Sequence, residues 1–313
     1  MKINKPNFWN TKYSFLSILL SPLTLLVILF IFLKRTFTKS MRFNIPIICV
    51  GNIYIGGTGK TPTSINIAKE LTVLGKKPVI LRKFYKEHKD EHDLIKQNFN
   101  HLILSKNRVE GVIKAQKLNY DTIVLDDGFQ DFKIEKDLNI LCFNQNQLIG
   151  NGFIFPSGPL RENLNSLKNA EIILINGEKN IEFEKKILNI NKNLKIFYSS
   201  YKPVNIDQFK NKKLLSFAGI GNPNNFFELL LKNNLIVKKK LIYPDHYNFS
   251  KKEISNIVEE AKINNYQIIT TEKDYLRIKD FKYDEIKYLK VSLDIKDKKK
   301  LLEVILKLYD QKN

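Results

Sequence analysis

The sequence predicts an α/β protein: a parallel sheet sandwiched by helices, with a second, smaller α/β lobe and an N-terminal hydrophobic helix. Three observations predict it. Short apolar runs at residues 78–81, 122–127, 139–143 and 171–176 alternate with helical stretches, as strands buried on both faces do. An earlier run, Ile45 to Gly51, opens into a glycine-rich turn that ends in Gly-Lys-Thr and leads into a helix. After a polar stretch at 202–213 the alternation starts again, with strands expected at 214–220, 267–270 and 288–293.

The elements follow in order. Residues 15–33 are almost wholly apolar, broken only by Ser17, Ser21, Pro22 and Thr24, and Lys34, Arg35, Lys39 and Arg42 follow. As one helix this stretch would be about 28 Å long, close to the thickness of a bilayer's hydrocarbon core. Pro22 leaves two forms open, a kinked span or a helix lying in the interface. The basic cluster argues that the chain beyond it is cytoplasmic. No small-x-small site comes after it, so a cleaved signal peptide is not expected.

Next comes Tyr54-Ile55-Gly56-Gly57-Thr58-Gly59-Lys60-Thr61. Glycines let successive N–H groups turn towards one anion, and a helix N-terminus adds its positive end. In this P-loop NTPase-like reading Gly56, Gly57, Thr58, Gly59, Lys60 and Thr61 hold the nucleotide. Lys60 reaches the β- and γ-phosphates, and the Thr61 hydroxyl completes a Mg²⁺ shell. Tyr54 stands where the usual first glycine would be. A helix over 63–74 has Ile65, Ala68, Leu71 and Leu74 on one face and ends at Gly75. The strand at 122–127 finishes on Asp126-Asp127, at the carboxyl edge where parallel sheets bind ligands. One of the two carboxylates would hold the Mg²⁺ shell, directly or through water, while the other orients or activates the nucleophile. Further on, Ser250 and Glu253 form a capping box opening a helix to about Ile263, and residues 298–309 make a closing amphipathic helix. The divisions expected are 1–40 (membrane-associating), 41–205 (kinase) and 206–313 (second α/β domain).

Charge and cysteine content narrow the class. The 313 residues include 52 Lys and Arg against 32 acidic residues, a net charge of +20. That balance suits phosphorylated substrates or an anionic lipid surface. Basic residues are spread over the whole chain without interleaved aromatics, so nucleic acid is not expected as a partner. Cys49 and Cys142 lie in apolar runs too far apart for a CxxC zinc site, and a reduced compartment is expected.

Several motifs in sequence order carry a resemblance. They are Gly51-Asn52 with Gly56 to Pro62, then Asp126-Asp127-Gly128-Phe129-Gln130, then Gly150-Asn151-Gly152 with Pro156 to Glu162. Phe217 to Pro223, Asp245-His246-Tyr247-Asn248-Phe249 and Thr270-Thr271-Glu272-Lys273-Asp274 complete the set. Together they resemble the tetraacyldisaccharide 4'-kinases of lipid A biosynthesis, over nearly the whole chain. That family's loop also lacks the first glycine.

The resemblance implies two α/β/α lobes with the active site between them. It implies ATP-dependent phosphorylation of the 4'-hydroxyl of a lipid A disaccharide 1-phosphate, giving lipid IVA, with ATP and Mg²⁺ as cofactors. It places the enzyme on the cytoplasmic face of the inner membrane and implies no obligate protein partner. Carried over by motif, Asp90 takes the hydroxyl proton and His246 holds and tunes it. Arg161 and Arg82 supply positive charge near the transferring group, Asp126 and Asp127 form the metal-side acidic pair with Thr61 binding Mg²⁺, and Asp127 also counts among the catalytic residues. Glu91, Gln130 and Glu162, with Arg82, are expected on the substrate side. Asp90 and His246 lie 156 positions apart, one in each expected lobe, so lobe closure would assemble them. The chain departs from the family pattern at Leu81-Arg82-Lys83-Phe84-Tyr85, which keeps the arginine without the glycines, and at Lys89 and His92 beside Asp90-Glu91.

Three other readings share these residues. His88-Lys89-Asp90-Glu91-His92 fits H-x-x-E-H, a zinc-peptidase pattern. A membrane-docked ATPase switch of ParA/MinD type would use the same loop, though its signature lysine is here Ile55. A kinase for another glycolipid would share all the chemistry.

Overall fold

The computed structural model describes residues 6–12 and 14–310. Helices α1 (Phe15–Leu19) and α2 (Ser21–Phe37) precede β1 (Ile47–Gly51), α3 (Lys60–Val73) and β2 (Pro78–Lys83). Next come α4 (Lys89–Asn98), β3 (Leu102–Ser105), α5 (Arg108–Lys117), β4 (Thr122–Asp126) and β5 (Leu138–Asn144). Then follow β6 (Ile172–Asn176), α6 (Ile181–Leu188), β7 (Lys195–Pro203), β8 (Lys213–Ala218), α7 (Pro223–Lys232) and β9 (Ile236–Ile242). The chain closes with α8 (Lys251–Ile263), β10 (Gln267–Thr271), α9 (Glu272–Ile278), β11 (Ile286–Leu289), β12 (Val291–Ile295) and α10 (Lys298–Asp310).

These elements form two compact units that interleave along the chain. The larger holds residues 6–84, 99–200 and 294–310, and the smaller holds Tyr85–Asn98 and Tyr201–Leu293. A consecutive division at 205 therefore places neither α4 nor α10 with its own unit. α4 belongs to the smaller unit because it packs on α9, and the Tyr309 hydroxyl of α10 lies 2.6 Å from that of Thr122 in the larger.

In the larger unit an eight-stranded sheet runs β12-β7-β6-β5-β1-β4-β2-β3. The pairings β5–β1, β1–β4 and β4–β2 are parallel, and every residue of β1, β4 and β5 is buried. That double burial is why these strands read as unbroken apolar runs. Register then fixes what meets at the carboxyl edge: Val50 lies opposite Asp126, and Asp126 opposite Arg82. The smaller unit has its own parallel sheet, β11-β10-β8-β9. Its edge strand β9 blunts itself with Lys238, Lys239 and Lys240. The single strand expected at 288–293 is two, β11 and β12, divided at Lys290.

The N-terminal stretch is not one helix. It parts at Leu20, and Pro22 sits in the first turn of α2, where its missing N–H costs nothing. Among the described residues no helix is long and apolar enough to cross a membrane. Two polar residues of the helices face inward: Ser17 and Thr24 are buried, while Phe15, Ile18, Leu25, Leu26, Phe30 and Phe32 are all more than half exposed. Thr24 Oγ1 lies 2.7 Å from Ser157 Oγ and accepts from the Ser157 N–H at 3.2 Å. Asn151 donates to Ser17 Oγ at 3.1 Å and to the Ser157 carbonyl at 3.0 Å.

Thr24→Val keeps the shape of that contact but strands buried partners on Ser157. It should lower unfolding free energy by about 1–3 kcal/mol, whereas Leu25→Ala, on the exposed face, should change it little. Urea denaturation of the two variants in detergent measures both.

Candidate functional site

In the larger unit the site is built from the loop after β1. Gly56 and Gly59 have φ of +113° and +91°, and Gly59 caps α3 from the left-handed region that glycine enters without penalty. Asn52 shapes the turn from within, its amide donating to the Tyr54 carbonyl at 2.6 Å and to Thr58 Oγ1 at 2.9 Å. Tyr54 is buried and bridges to Leu160, while the Arg161 N–H donates to the Ile53 carbonyl at 2.7 Å. The 150–162 segment is thereby stitched to the phosphate loop. Gly51 is required for a steric reason: a Cβ there would fall 2.5 Å from Phe129 Cβ.

Asp126 is fully buried at the end of β4. Its carboxylate accepts from the Arg82 guanidinium, from Thr61 Oγ1 at 3.1 Å and from Ser64 Oγ at 3.0 Å. Asp127 is a non-glycine residue at φ +57°, a conformation Asp tolerates better than most. It turns its carboxylate to Arg161 at 2.8 Å and to Lys60 at 3.7 Å. Burial would push the Asp127 carboxyl up, but Lys60, Arg161 and Arg82 outweigh it and hold it well below the usual range. Burial in turn lowers Lys60 against the pull of Asp127. Gln130 donates to the Asn52 carbonyl at 2.9 Å and to Glu162 at 3.0 Å, and burial raises the Glu162 carboxyl.

The smaller unit gathers a second cluster. Asp90 lies in the first turn of α4, almost wholly buried. Its Oδ2 accepts from Arg277 Nε at 2.9 Å and Nη2 at 2.5 Å, and His246 Nδ1 is 3.2 Å away. Its Oδ1 is buried without a hydrogen-bond partner among the described residues. Asp274 anchors Arg277 at 2.6 Å and also accepts from the Gly219 N–H at 3.0 Å. Lys273 Nζ lies 2.9 Å from Glu91 and 3.2 Å from His246 Nε2. His246 has φ +55°, and its ring stacks on His88 with centroids 4.8 Å apart. Burial alone would raise the Asp90 carboxyl; the His246 hydrogen bond and the charges of Lys273 and Arg277 instead hold it well below its ordinary range.

Comparison with known proteins decides the family. A family model described as tetraacyldisaccharide-1-P 4'-kinase matches residues 16–310. A tetraacyldisaccharide 4'-kinase of Pelagibacter ubique is 43% identical, the match covering 99% of this chain and all of that one. The chain belongs to the tetraacyldisaccharide 4'-kinase family. Another member, from Rickettsia bellii, is 32% identical over 98% of this chain and 99% of its own. A crystal structure of LpxK from Aquifex aeolicus in complex with ATP shares the fold at TM-score 0.72 and 24% identity, covering 94% of this chain and 99% of that one. The chain is a kinase, as the sequence motifs implied.

In this family member, the residues expected at the nucleotide loop, the acidic pair, Arg82, Arg161, Gln130 and Glu162 all fall within the larger unit. Asp90, Glu91 and His246 fall together in the smaller one. The expectation that Asp90 and His246 sit in different lobes is therefore corrected: α4 docks on α9 and carries Asp90 to His246 within one unit. Among the described residues no group of three His, Cys, Asp or Glu could hold a metal ion, and His88 and His92 do not converge with a third ligand. Cys49 and Cys142 are both free and buried. Lys273, Asp274 and Arg277 were not singled out from the sequence as site residues. Their signal was Asp274 and Arg277 at i,i+3 directly after a strand, an arrangement that aims both at the sheet's edge.

A carboxyl depressed in the folded state stabilises the fold above its unfolded pKa of about 4, and that contribution is lost as pH falls further. Asp90→Asn should accordingly be less stable than wild type at pH 7, with the difference shrinking as pH falls from about 5 towards 3. Denaturation midpoints across that range test this.

Proposed function

We propose that the chain transfers the γ-phosphoryl group of ATP to the 4'-hydroxyl of tetraacyldisaccharide 1-phosphate, giving lipid IVA, with Mg²⁺ accompanying the nucleotide. The observation that carries the assignment of roles is Asp90: one carboxylate oxygen takes two hydrogen bonds from Arg277, with His246 Nδ1 3.2 Å away, and the other is left with its lone pairs unused. That second oxygen, Oδ1, takes the proton from the acceptor hydroxyl. Because the carboxyl is held so low, Asp90 is a weak base and receives the proton only as the bond to phosphorus forms, which suits a loose transition state. His246 supports the carboxylate through Oδ2 and keeps Oδ1 aimed.

On the donor side the Gly56–Lys60 turn cradles the triphosphate with backbone N–H groups, and Lys60 supplies a point charge. Arg161, fixed by Asp127, adds positive charge near the transferring group. Arg82 acts through Asp126, which it neutralises and orients. The donor set fits Mg²⁺: one carboxylate and one hydroxyl, Asp126 and Thr61, lie 3.1 Å apart and would hold the ion. When bound, the ion supplies charge neutralisation across the phosphates. Gln130, Glu162 and Glu91 supply polar contacts on the substrate side.

The outward apolar face of α1 and α2, with Lys34 and Arg35 in the last turn of α2, supports docking on the cytoplasmic leaflet of the inner membrane, the helices lying in the interface. A switch of ParA/MinD type lacks support, since Ile55 stands where its lysine would be.

The deciding assay combines ATP, Mg²⁺ and tetraacyldisaccharide 1-phosphate and weighs the lipid product. A gain of one phosphate is expected; none on this acceptor, with gain on another glycolipid, reassigns the substrate. Lys60→Ala should nearly abolish transfer, and Thr61→Ala should raise the Mg²⁺ concentration needed for half-maximal rate. Asp90→Ala and His246→Ala should each cut kcat by about 10²–10⁴-fold while moving the ATP KM little. Their double variant should be little worse than the worse single; fully multiplicative losses would show that the two do not act as one unit.

A further inference from the structure

The carboxyl edge of the larger sheet has two sides about β1, and the transfer chemistry gathers on one of them. There Asp126 closes β4, Arg82 lies opposite it on β2, and Asp127 turns to Lys60 and Arg161. On the other side of β1 lie β5, β6 and β7, in that order. A triphosphate seated on the loop after β1, with its γ end towards Asp126 and Arg82, directs its nucleoside the other way, over β5 to β7. β6 stands two strand spacings from β1, about 10 Å, a distance that the α-phosphate and ribose of a nucleotide span.

That side of the edge ends in a row of polar side chains. Asn144, the last residue of β5, is in register with Asn176, the last of β6, and Asn176 with Ser199 of β7. Residues in register on neighbouring parallel strands share a face, and alternation along β5 puts Asn144 on the face of Cys142. Cys142 Sγ lies 3.6 Å from Thr63 Oγ1 of α3, so the row is on the face where α3 begins. All three residues are at least nine-tenths buried.

The backbone of this edge is paired. The Gln145 N–H donates to the Asn176 carbonyl at 3.0 Å, and the Gly177 N–H to the Ser199 carbonyl at 2.8 Å. The Gln145 side chain accepts from the Glu178 N–H and lies so close over Gly177, at φ +136°, that a Cβ there would collide with it. Asn144 Oδ1 accepts from the Asn146 N–H at 2.9 Å. Two side chains are left over. Ser199 Oγ is buried without a hydrogen-bond partner, and the Asn176 carboxamide makes no side-chain hydrogen bond among the described residues. Polar groups buried in this way cost free energy that a hydrogen-bonding ligand recovers. Ser199, 1% exposed, is too deep to touch one; Asn176, 9% exposed, keeps an edge open to it. Its carboxamide sets a donor beside an acceptor, the pattern that matches the N7 and 6-amino group of adenine.

We propose that the carboxyl ends of β5, β6 and β7 form the nucleobase subsite, with Asn176 as its specificity-determining residue, pairing with the 6-amino group and N7 of adenine. This rests on the reading in which ATP is the donor held by the Gly56–Lys60 turn, and it names the residue that tells its base from others.

Titration calorimetry of full-length protein in detergent separates base from phosphates when three probes are used: ATP, purine riboside triphosphate, which lacks the 6-amino group, and inorganic tripolyphosphate. Wild type should bind ATP roughly fivefold or more tighter than purine riboside triphosphate. Asn176→Ala should weaken ATP by roughly tenfold, erase that preference and leave tripolyphosphate within about twofold of wild type. Asn176→Ser, whose hydroxyl is too short to meet both base atoms, should do the same and serves if the alanine variant does not fold. In the kinase assay either variant should raise the ATP KM with kcat within about twofold, because the base is held equally before and at the transition state.

A preference for ATP that survives in Asn176→Ala, no preference in wild type, or an equal loss of ATP and tripolyphosphate binding overturns the proposal. Failure of the donor reading looks different: wild type would then form no phosphorylated lipid from ATP, whatever the ranking of the bases.

Discussion

Everything in the larger unit's site depends on one buried carboxylate. Asp126 closes β4 with no exposure, and two further elements are tied to it: β2 through Arg82, and the start of α3 through Thr61 and Ser64. Burying such a pair is a poor source of stability, since desolvation consumes most of the attraction, while removing one partner typically costs about 3–5 kcal/mol. What the pair supplies is position. The register that sets Val50 opposite Asp126 and Asp126 opposite Arg82 brings the strand before the phosphate loop to the same edge as the carboxylate. Asp127, one residue further, is turned out of the strand by its positive φ and meets Lys60 and Arg161 instead. Two adjacent aspartates thus reach different partners because the backbone changes region between them.

The smaller unit solves a related problem by another route. Asp90 is also a buried carboxylate held by an arginine, but only one of its oxygens is used up. Arg277 is in turn fixed by Asp274, whose other oxygen takes the Gly219 N–H, so the base is referenced to the carboxyl end of β8 through two side chains. Each charge in the chain has a partner of opposite sign, which is what lets so many ionised groups share a buried site.

The parts legible in the sequence were those whose local chemistry is sufficient. The strand–turn–helix at 47–73 shows itself because Gly56 and Gly59 need positive φ and α3 repeats its apolar residues on one face. Ser250 and Glu253 form the expected capping box for the same reason: both partners lie within four residues. The 85–98 excursion was hidden. α4 buries Asp90 and His92 beside a single fully buried apolar residue, Ile95, and what holds it is α9, nearly two hundred residues away. No linker composition marks its entry into the smaller unit, so a consecutive reading divided Asp90 from His246 when the fold unites them. Arg277 was missed on the same ground, since its importance lies in a partner 187 positions distant.

The N-terminal helices show how an unbroken apolar run conceals a polarity. Counting residues suggests a bilayer span, yet Ser17 and Thr24, the apparent blemishes, are the buried ones. They lie on the two separate helices, and both meet the 150–162 segment that also hydrogen-bonds the phosphate loop through Leu160 and Arg161. A water-soluble helix would turn Leu25, Leu26 and Phe30 to the protein and Thr24 to solvent. This one turns Thr24 inward to the hydroxyl of Ser157 and the Ile154 carbonyl, while Val27 and Ile28 pack against the core. The few polar residues therefore orient the helix, and that orientation leaves its apolar face directed away from the protein.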